Sequence, residues 1–295
     1  MTWLPAAAGL AAVAAGSYAA WRATWGYPSP SAPRVLAFHK IVRFELGGTW
    51  ISPQRFERQI DSLLASGIRF IDETAFLETL DGSRSASPEE VLLTFDDGYE
   101  DFASGAAPVL EARGIPALVF LVSGYAGRGN EWELALPGRR ARHMDWETVR
   151  RLRSRGFSFG SHTVTHRPLT RLGHAATAVE LERSRKEIAG RIGAPVRTLS
   201  YPFGMVDARV ARAAREAGYE AAFALAPPRG AGRFMLRRDG VWVIDTPWTI
   251  RVKLSRRGLF WLEDCKERAI NACSVVTPLV TGAWRGEERQ RRESS

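Results

Sequence analysis

The chain alternates short apolar runs with stretches in which apolar residues recur at helical spacing. The apolar runs predict strands over Arg34–Phe38, Ile68–Ile71, Val91–Phe95, Ala117–Val122, Phe157–Gly160, Val196–Tyr201 and Ala221–Leu225. Helices are predicted between them, among them Tyr99–Arg113, Trp146–Arg155, Ala175–Ile192 and Ala208–Ala217, and one that begins at the Ser52-Pro53 cap. This alternation indicates a parallel sheet covered by helices.

Polar residues follow the ends of several predicted strands. His39 follows the first strand, Asp96 and Asp97 follow Val91–Phe95, and His162 follows Phe157–Gly160. In an α/β barrel all carboxyl ends of the strands meet on one face, whereas an open sheet brings together only the strands beside its switch point. The pattern therefore favours a barrel over an open doubly wound sheet.

Two motifs carry candidate chemistry. In Asp96-Asp97-Gly98, adjacent carboxylates at a strand end point in different directions, so that one can hold a metal while the other faces a reacting water; a solvated turn is the alternative. His162 and His166 stand at i and i+4, which places both imidazoles on one side of a predicted helical turn; two unrelated polar residues in a loop are the alternative. With Asp97 they form a ligand set that suits a catalytic zinc, and iron, cobalt or nickel are alternatives.

Three segments together resemble, in order and spacing, the first three motifs of the polysaccharide deacetylase family, also called carbohydrate esterase family 4 or the NodB-homology family. They are Thr94–Gly98, His162–His166 and Tyr201–Gly204, and the resemblance covers about Arg34 to Ile250. It implies an irregular (β/α) barrel with about seven parallel strands and metal-dependent removal of acetyl groups from N-acetylated sugars.

The resemblance also implies a role for each matching residue. Asp97, His162 and His166 would bind the metal, and Asp96 would be the general base for the attacking water. The backbone N–H of Phe203 would help to hold the oxyanion. These roles suit the chemistry, because an amide carbonyl is a poor electrophile and gains from a Lewis acid and from oxyanion donors.

The chain departs from the family pattern at two places. Ser200 stands where many members have an arginine, and no histidine follows His174, so that the late Leu-x-His motif is missing. His39 on the first strand instead resembles the permuted branch that includes poly-N-acetylglucosamine deacetylases, which makes it the candidate acid that protonates the leaving amine. A structural histidine is the alternative. Arg238 is the candidate replacement for the arginine beside Asp96, and a solvated pair with Arg237 is the alternative.

The N-terminal run Trp3–Trp21 is uncharged and mostly apolar, and the first charge is Arg22. A run of about 20 residues can just span a bilayer, and Ser17–Ala19 fits a small-residue cleavage site. An uncleaved membrane anchor, a cleaved export signal and a soluble helix all stay open. The first two predict a catalytic domain outside the cytoplasmic membrane and membrane association through this apolar helix.

Four segments are predicted. Residues 1–26 are the anchor or signal, 27–33 a Pro/Ser linker, 34–250 the catalytic domain, and 251–295 a C-terminal helical extension with a basic tail. The net charge of +9 suits acidic glycans, other polyanions or an anionic membrane, and it is also common on solvated surfaces. The composition, 45% hydrophobic and 25% charged, excludes disordered and collagen-like chains.

The sequence thus predicts a metal-dependent N-deacetylase of an envelope or extracellular polysaccharide, with N-acetylglucosamine units as the target. The metal is expected to be Zn²⁺, with Co²⁺, Ni²⁺ or Fe²⁺ as alternatives, and no nucleic-acid partner is expected. An O-acetyl esterase, a hydrolase of lipid-linked sugars or small amides, and a non-catalytic glycan-binding protein are the alternative functions. His143 and His174 are expected at the surface, and Trp132, Trp242 and Trp248 are expected to pack or to stack on sugar rings.

Overall fold

The structure, a computed structural model, describes residues 4–25, 28, 34–45, 48–132, 140–225, 227 and 232–280. The helices are α1 (Leu4–Thr24), α2 (Pro53–Ala65), α3 (Glu73–Asp81), α4 (Ala107–Glu111), α5 (Trp146–Ser154), α6 (His174–Ile192), α7 (Ala208–Glu216), α8 (Pro247–Ser255) and α9 (Phe260–Val280). The strands are β1 (Arg34–Phe38), β2 (Lys40–Ile41), β3 (Trp50–Ile51), β4 (Arg69–Ile71), β5 (Glu90–Phe95), β6 (Leu118–Leu121), β7 (Ser158–Ser161), β8 (Thr198–Ser200), β9 (Ala221–Ala224), β10 (Leu236–Arg237) and β11 (Asp239–Gly240). Most of the predicted linker 27–33 and the basic tail lie outside the described residues.

Eight parallel strands form the main sheet in the order β10-β9-β8-β7-β6-β5-β1-β11, and β4 pairs with the first half of β5. The seven predicted strands are all present, as β1 and β4 to β9. Every residue of β1 and β5 is buried, because helices cover the outside of the sheet while side chains fill its inside. This arrangement confirms the predicted barrel.

The two edges of the sheet are joined by residues 236–240, which we call the closing segment. Its first two residues pair with β9 and its last two pair with β1. Arg238, between the two pairs, donates its backbone N–H to the carbonyl of Ala224 at 3.1 Å. The sheet is therefore a nearly closed barrel, and a single short segment completes it.

The aromatic core lies beneath the face on which the strands end. Phe38 and Phe95 stack with their ring centroids 5.3 Å apart, and Phe56 of α2 meets Phe38 edge-on at 5.3 Å. The helix α2 begins as the sequence predicts, because the Ser52 side chain accepts from the backbone N–H of Arg55. This packing fixes the ends of β1 and β5, where the candidate catalytic residues begin.

The predicted continuous helix over Tyr99–Arg113 is wrong in detail. A π-helical turn spans Phe102–Ala106 before α4, and the N–H of Ala107 donates to the carbonyl of Phe102 five residues earlier. Pro108 lacks an N–H and its ring crowds the preceding turn, which disfavours regular α-helix at this position.

The end of α1 packs against α9. The indole Nε1 of Trp21 donates to Oδ2 of Asp264 at 2.7 Å, and the Tyr18 ring meets Trp261 edge-on at 5.8 Å. Among the residues that the structure describes, no helix combines the length and the apolarity needed to cross a bilayer. The location of the catalytic domain outside the cytoplasmic membrane stays a prediction.

Candidate active site and metal centre

The end of β5 places two carboxylates in different directions. The backbone of Asp97 is left-handed with φ of 67°, which turns its side chain away from that of Asp96. Gly98 follows with φ of 66°, and a Cβ at this position would lie 2.6 Å from Cδ2 of Leu121. Glycine is therefore the residue that lets this turn form.

His162 and His166 lie together, with ring centroids 4.8 Å apart. The predicted helical turn between them is wrong, because Thr163 and His166 have φ of 69° and 58°. The segment is instead a tight loop after β7 that returns the second imidazole beside the first. The i, i+4 spacing brings the two rings together through this loop.

Glu180 of α6 holds the histidine loop. Its Oε2 accepts the backbone N–H groups of Val164 and Thr165 at 2.8 and 3.0 Å, and its Oε1 accepts the Thr165 hydroxyl at 2.5 Å. Glu180 is buried, so that these bonds lie away from water. Sequence reasoning missed this residue, because its partners are mostly backbone groups, 15 and 16 residues away, that any loop sequence would offer.

Asp97, His162 and His166 have the geometry of a metal site. Nε2 of His162 lies 3.6 Å from Oδ1 of Asp97, and Nε2 of His166 lies 3.3 Å from the same oxygen. A tetrahedral zinc with bonds of about 2.0–2.2 Å separates its ligand atoms by about 3.4 Å, so the donor set fits such an ion. Nδ1 of His162 lies 2.7 Å from the carbonyl of Ser200, which places the proton on Nδ1 and leaves Nε2 for a metal.

Burial keeps both imidazoles neutral. Desolvation lowers the pKa of His162 to about 4 and lowers that of His166 well below its ordinary value. A histidine must be neutral to bind a metal, so the two rings are ready to act as ligands at pH 7.

Asp96 is held by Arg238 of the closing segment. The guanidinium donates from Nη1 to Oδ1 and from Nη2 to Oδ2, both at 2.7 Å, and also donates to the Ser200 hydroxyl at 2.8 Å. Burial alone would raise the pKa of Asp96, but the charge and the hydrogen bonds of Arg238 outweigh it and hold the pKa below its usual range. The carboxylate is therefore ionised, and the small Ser200 leaves room for the guanidinium.

His39 lies beside Asp96. Its Nε2 is 3.8 Å from Oδ2 of Asp96, and its side chain is 15% exposed, whereas that of Asp96 is 4% exposed. The ring stacks on Trp242 with centroids 6.2 Å apart. The structure thus brings His39 to the site, on its solvent side.

Phe203 follows β8 in a left-handed conformation with φ of 58°. Its ring lies 4.7 Å from that of His166, so the turn that contains its backbone N–H borders the metal site. The role of this N–H toward an oxyanion stays a prediction.

The expectation that His143 lies at the surface is wrong. Its Nδ1 lies 2.8 Å from the backbone carbonyl of Asp97, and the residue is 2% exposed. An antiparallel bridge to Tyr99 folds this segment over the site. The sequence carries no signal for this contact, since its partner is a backbone carbonyl. His174 is exposed, as predicted.

The three tryptophans have different environments. Trp132 is buried and lies parallel to His166, with centroids 4.3 Å apart. Trp242 is buried against His39, so both of these residues pack within the site, whereas Trp248 is 53% exposed. Of the three, only Trp248 has the exposure that stacking on a sugar ring requires.

Comparisons with known proteins point to one family. Residues 83–222 match the family described as Polysaccharide deacetylase. YxkH of Bacillus subtilis (strain 168) is 26% identical over 213 residues, which are 71% of each chain. The poly-beta-1,6-N-acetyl-D-glucosamine N-deacetylase of Staphylococcus aureus (strain MSSA476) is 23% identical over 183 residues, which are 59% of this chain and 61% of that protein.

A solved structure supports the same branch. IcaB from Ammonifex degensii superposes with a TM-score of 0.65 at 25% identity, covering 77% of this chain and 97% of that chain. Residues 83–222 of this chain therefore match the polysaccharide deacetylase family, and the protein resembles the branch of IcaB and the poly-beta-1,6-N-acetyl-D-glucosamine N-deacetylases.

Proposed function

We propose that the protein is a metal-dependent N-deacetylase of a polysaccharide that contains N-acetylglucosamine, in the cell envelope or in exopolysaccharide. The observation that carries the proposal is the joint placement of three groups. A His₂-carboxylate donor set lies beside the ionised Asp96, and His39 stands 3.8 Å from that carboxylate. The sugar is proposed from the Staphylococcus aureus relative, which is named for that substrate.

Asp96 is proposed to accept a proton from the attacking water. Its charge is maintained by Arg238, which binds both carboxylate oxygens and fixes their orientation. Asp97, His162 and His166 would hold a divalent metal, which would supply a Lewis acid for the acetyl carbonyl and for the attacking water. The water oxygen would bond to the acetyl carbon, and the Phe203 N–H would donate to the carbonyl oxygen as its negative charge develops.

His39 is proposed to act as the general acid that completes the reaction. The C–N bond breaks only when the nitrogen receives a proton, because an amide anion is a poor leaving group. Protonated Nε2 of His39 would donate this proton, and the products are acetate and a free amine. Its partial exposure suits a group that must face a bulky glycan.

We expect the purified full chain, supplied with zinc, to release acetate from β-1,6-linked N-acetylglucosamine oligomers. Acetate release and the appearance of free amines are the measurements, and an O-acetylated glycan is the comparison substrate. Faster release from the O-acetylated glycan would identify an esterase instead. No release from either substrate by metal-loaded protein would contradict the proposal.

The His39→Ala variant is expected to keep its metal and to lose roughly 10²- to 10⁴-fold in kcat on the oligomer, as is typical when a general acid is removed. Its loss on an aryl acetate should be much smaller, because that leaving group needs no proton. His174→Ala, which removes an exposed histidine, is the matched control. Equal losses of kcat on the two substrates would show that His39 is a structural residue and not the general acid.

A further inference from the structure

The closing segment carries two arginines that point in opposite directions, as neighbouring strand residues do. The side chain of Arg238 points into the barrel toward Asp96 and is 0% exposed. The side chain of Arg237 points out toward the C-terminal helices. Because the two residues are adjacent, the contacts of the Arg237 side chain also restrict the backbone position from which Arg238 reaches Asp96.

Arg237 is held by two buried acids on one face of α9. Its Nη1 donates to Oδ1 of Asp264 at 2.5 Å, and its Nη2 donates to Oε2 of Glu267 at 2.9 Å. Asp264 and Glu267 are 1% and 3% exposed. Because they stand three residues apart, they lie one above the other on the helix and hold the two ends of the guanidinium.

A second cation holds the other end of the closing segment. Nζ of Lys253 in α8 donates to the backbone carbonyl of Gly240 at 2.5 Å and lies 3.3 Å from Oε1 of Glu267. A Cβ on Gly240 would lie 2.7 Å from the Trp242 ring, so this strand end also contacts the residue that stacks on His39. Glu267 thus contacts both Arg237, which belongs to the closing segment, and Lys253, which bonds to the end of that segment.

We propose that Glu267 and Asp264 of α9 are positioning residues for the catalytic site, acting through Arg237 and the closing segment to keep Arg238 against Asp96. The proposal rests on the proposed deacetylase function. It makes the helical part of the segment 251–295 a component of the catalytic unit, although this part lies beyond the segment that matches the family. A buried, paired acid is suited to this task, because the pairing fixes both the side chains and the strand between them.

Glu267→Gln keeps the shape of the side chain and replaces the carboxyl group that contacts Arg237 and Lys253 with an amide. We expect kcat on the N-acetylglucosamine oligomer to fall roughly 10- to 100-fold, as for other supporting contacts, with KM within about twofold and metal content unchanged. The decisive measurement is a double-mutant cycle with Arg238→Ala, followed on an aryl acetate so that the weak variants remain measurable. In the Arg238→Ala background, Glu267→Gln should cause no further loss, because the group it positions is absent.

Glu263→Gln is the matched control, since it makes the same change on α9 at a residue that pairs with Lys266. Asp264→Asn is the second test variant, and circular dichroism establishes that each protein is folded. Unchanged kcat in Glu267→Gln, equal losses in both Arg238 backgrounds, or loss of the fold in both test variants would overturn the proposal. Absence of acetate release by the wild-type protein would instead contradict the proposed function.

Discussion

The His166→Ala variant is expected to lose its bound metal and nearly all of its deacetylase activity. Only Asp97 and His162 would remain as protein ligands, and two protein ligands are too few for a catalytic zinc site. The loss of activity should exceed about 100-fold. That is the upper end of the loss caused by removing a residue that hydrogen-bonds to a metal ligand, and here a ligand itself is removed. Elemental analysis after dialysis measures the metal, and acetate release measures the activity.

The same substitution also removes a ring packed between two others, so folding must be measured alongside. His166 lies 4.3 Å from Trp132 and 4.7 Å from Phe203, centroid to centroid. His166→Phe keeps an aromatic ring there without a ligand nitrogen and should also lack metal, while His174→Ala should resemble the wild type. Full metal content in folded His166→Ala would show that the ligand assignment is wrong.

Asp96→Asn is expected to keep the metal but to lose roughly 10²- to 10⁴-fold in kcat, as is typical for loss of a general base. The three metal donors stay in place, because Asp96 is bonded to Arg238 and not to them. The variant should also be less stable by about 3–5 kcal/mol, since it leaves the buried guanidinium without its carboxylate. Metal content, kcat and the midpoint of thermal unfolding are the measurements.

A double variant separates the two effects. Asp96→Asn/Arg238→Gln removes both charges, so it should recover much of the lost stability without recovering activity. Recovery of activity together with stability would mean that Asp96 is needed for the fold and not for the chemistry. Near wild-type kcat in metal-loaded Asp96→Asn would remove Asp96 from the role of base.

The barrel was predictable because its strands are apolar on both faces, and such runs are visible in the sequence. The closing segment was not, because each of its two strands has two residues and its side chains are mostly charged. Its two arginines are explained by contacts with Asp96, 142 positions away from Arg238, and with α9, 27 and 30 positions away from Arg237. Pairing of this kind leaves no periodic signal.

The sequence predicted which residues form the candidate site better than it predicted the backbone conformation that brings them together. The spacing of His162 and His166 identified two neighbouring imidazoles, but the left-handed residues that bring them together depend on Glu180. His143 could not be recognised, since it contacts a carbonyl that any residue at position 97 would offer. Contacts to backbone groups give sequence reasoning little to detect.

The closing segment also bears on how the protein assembles. It joins β1 to the last part of the barrel across roughly 200 positions of the chain, and contacts of such long range form late because they carry a large loop-closure cost. Asp97, His162 and His166 belong to β5, β7 and the turns that follow them, whereas Arg238 arrives only with the final strand. We therefore expect two separate events in folding: the metal ligands gather while the sheet is still open, and the base acquires its counter-charge only when the barrel closes.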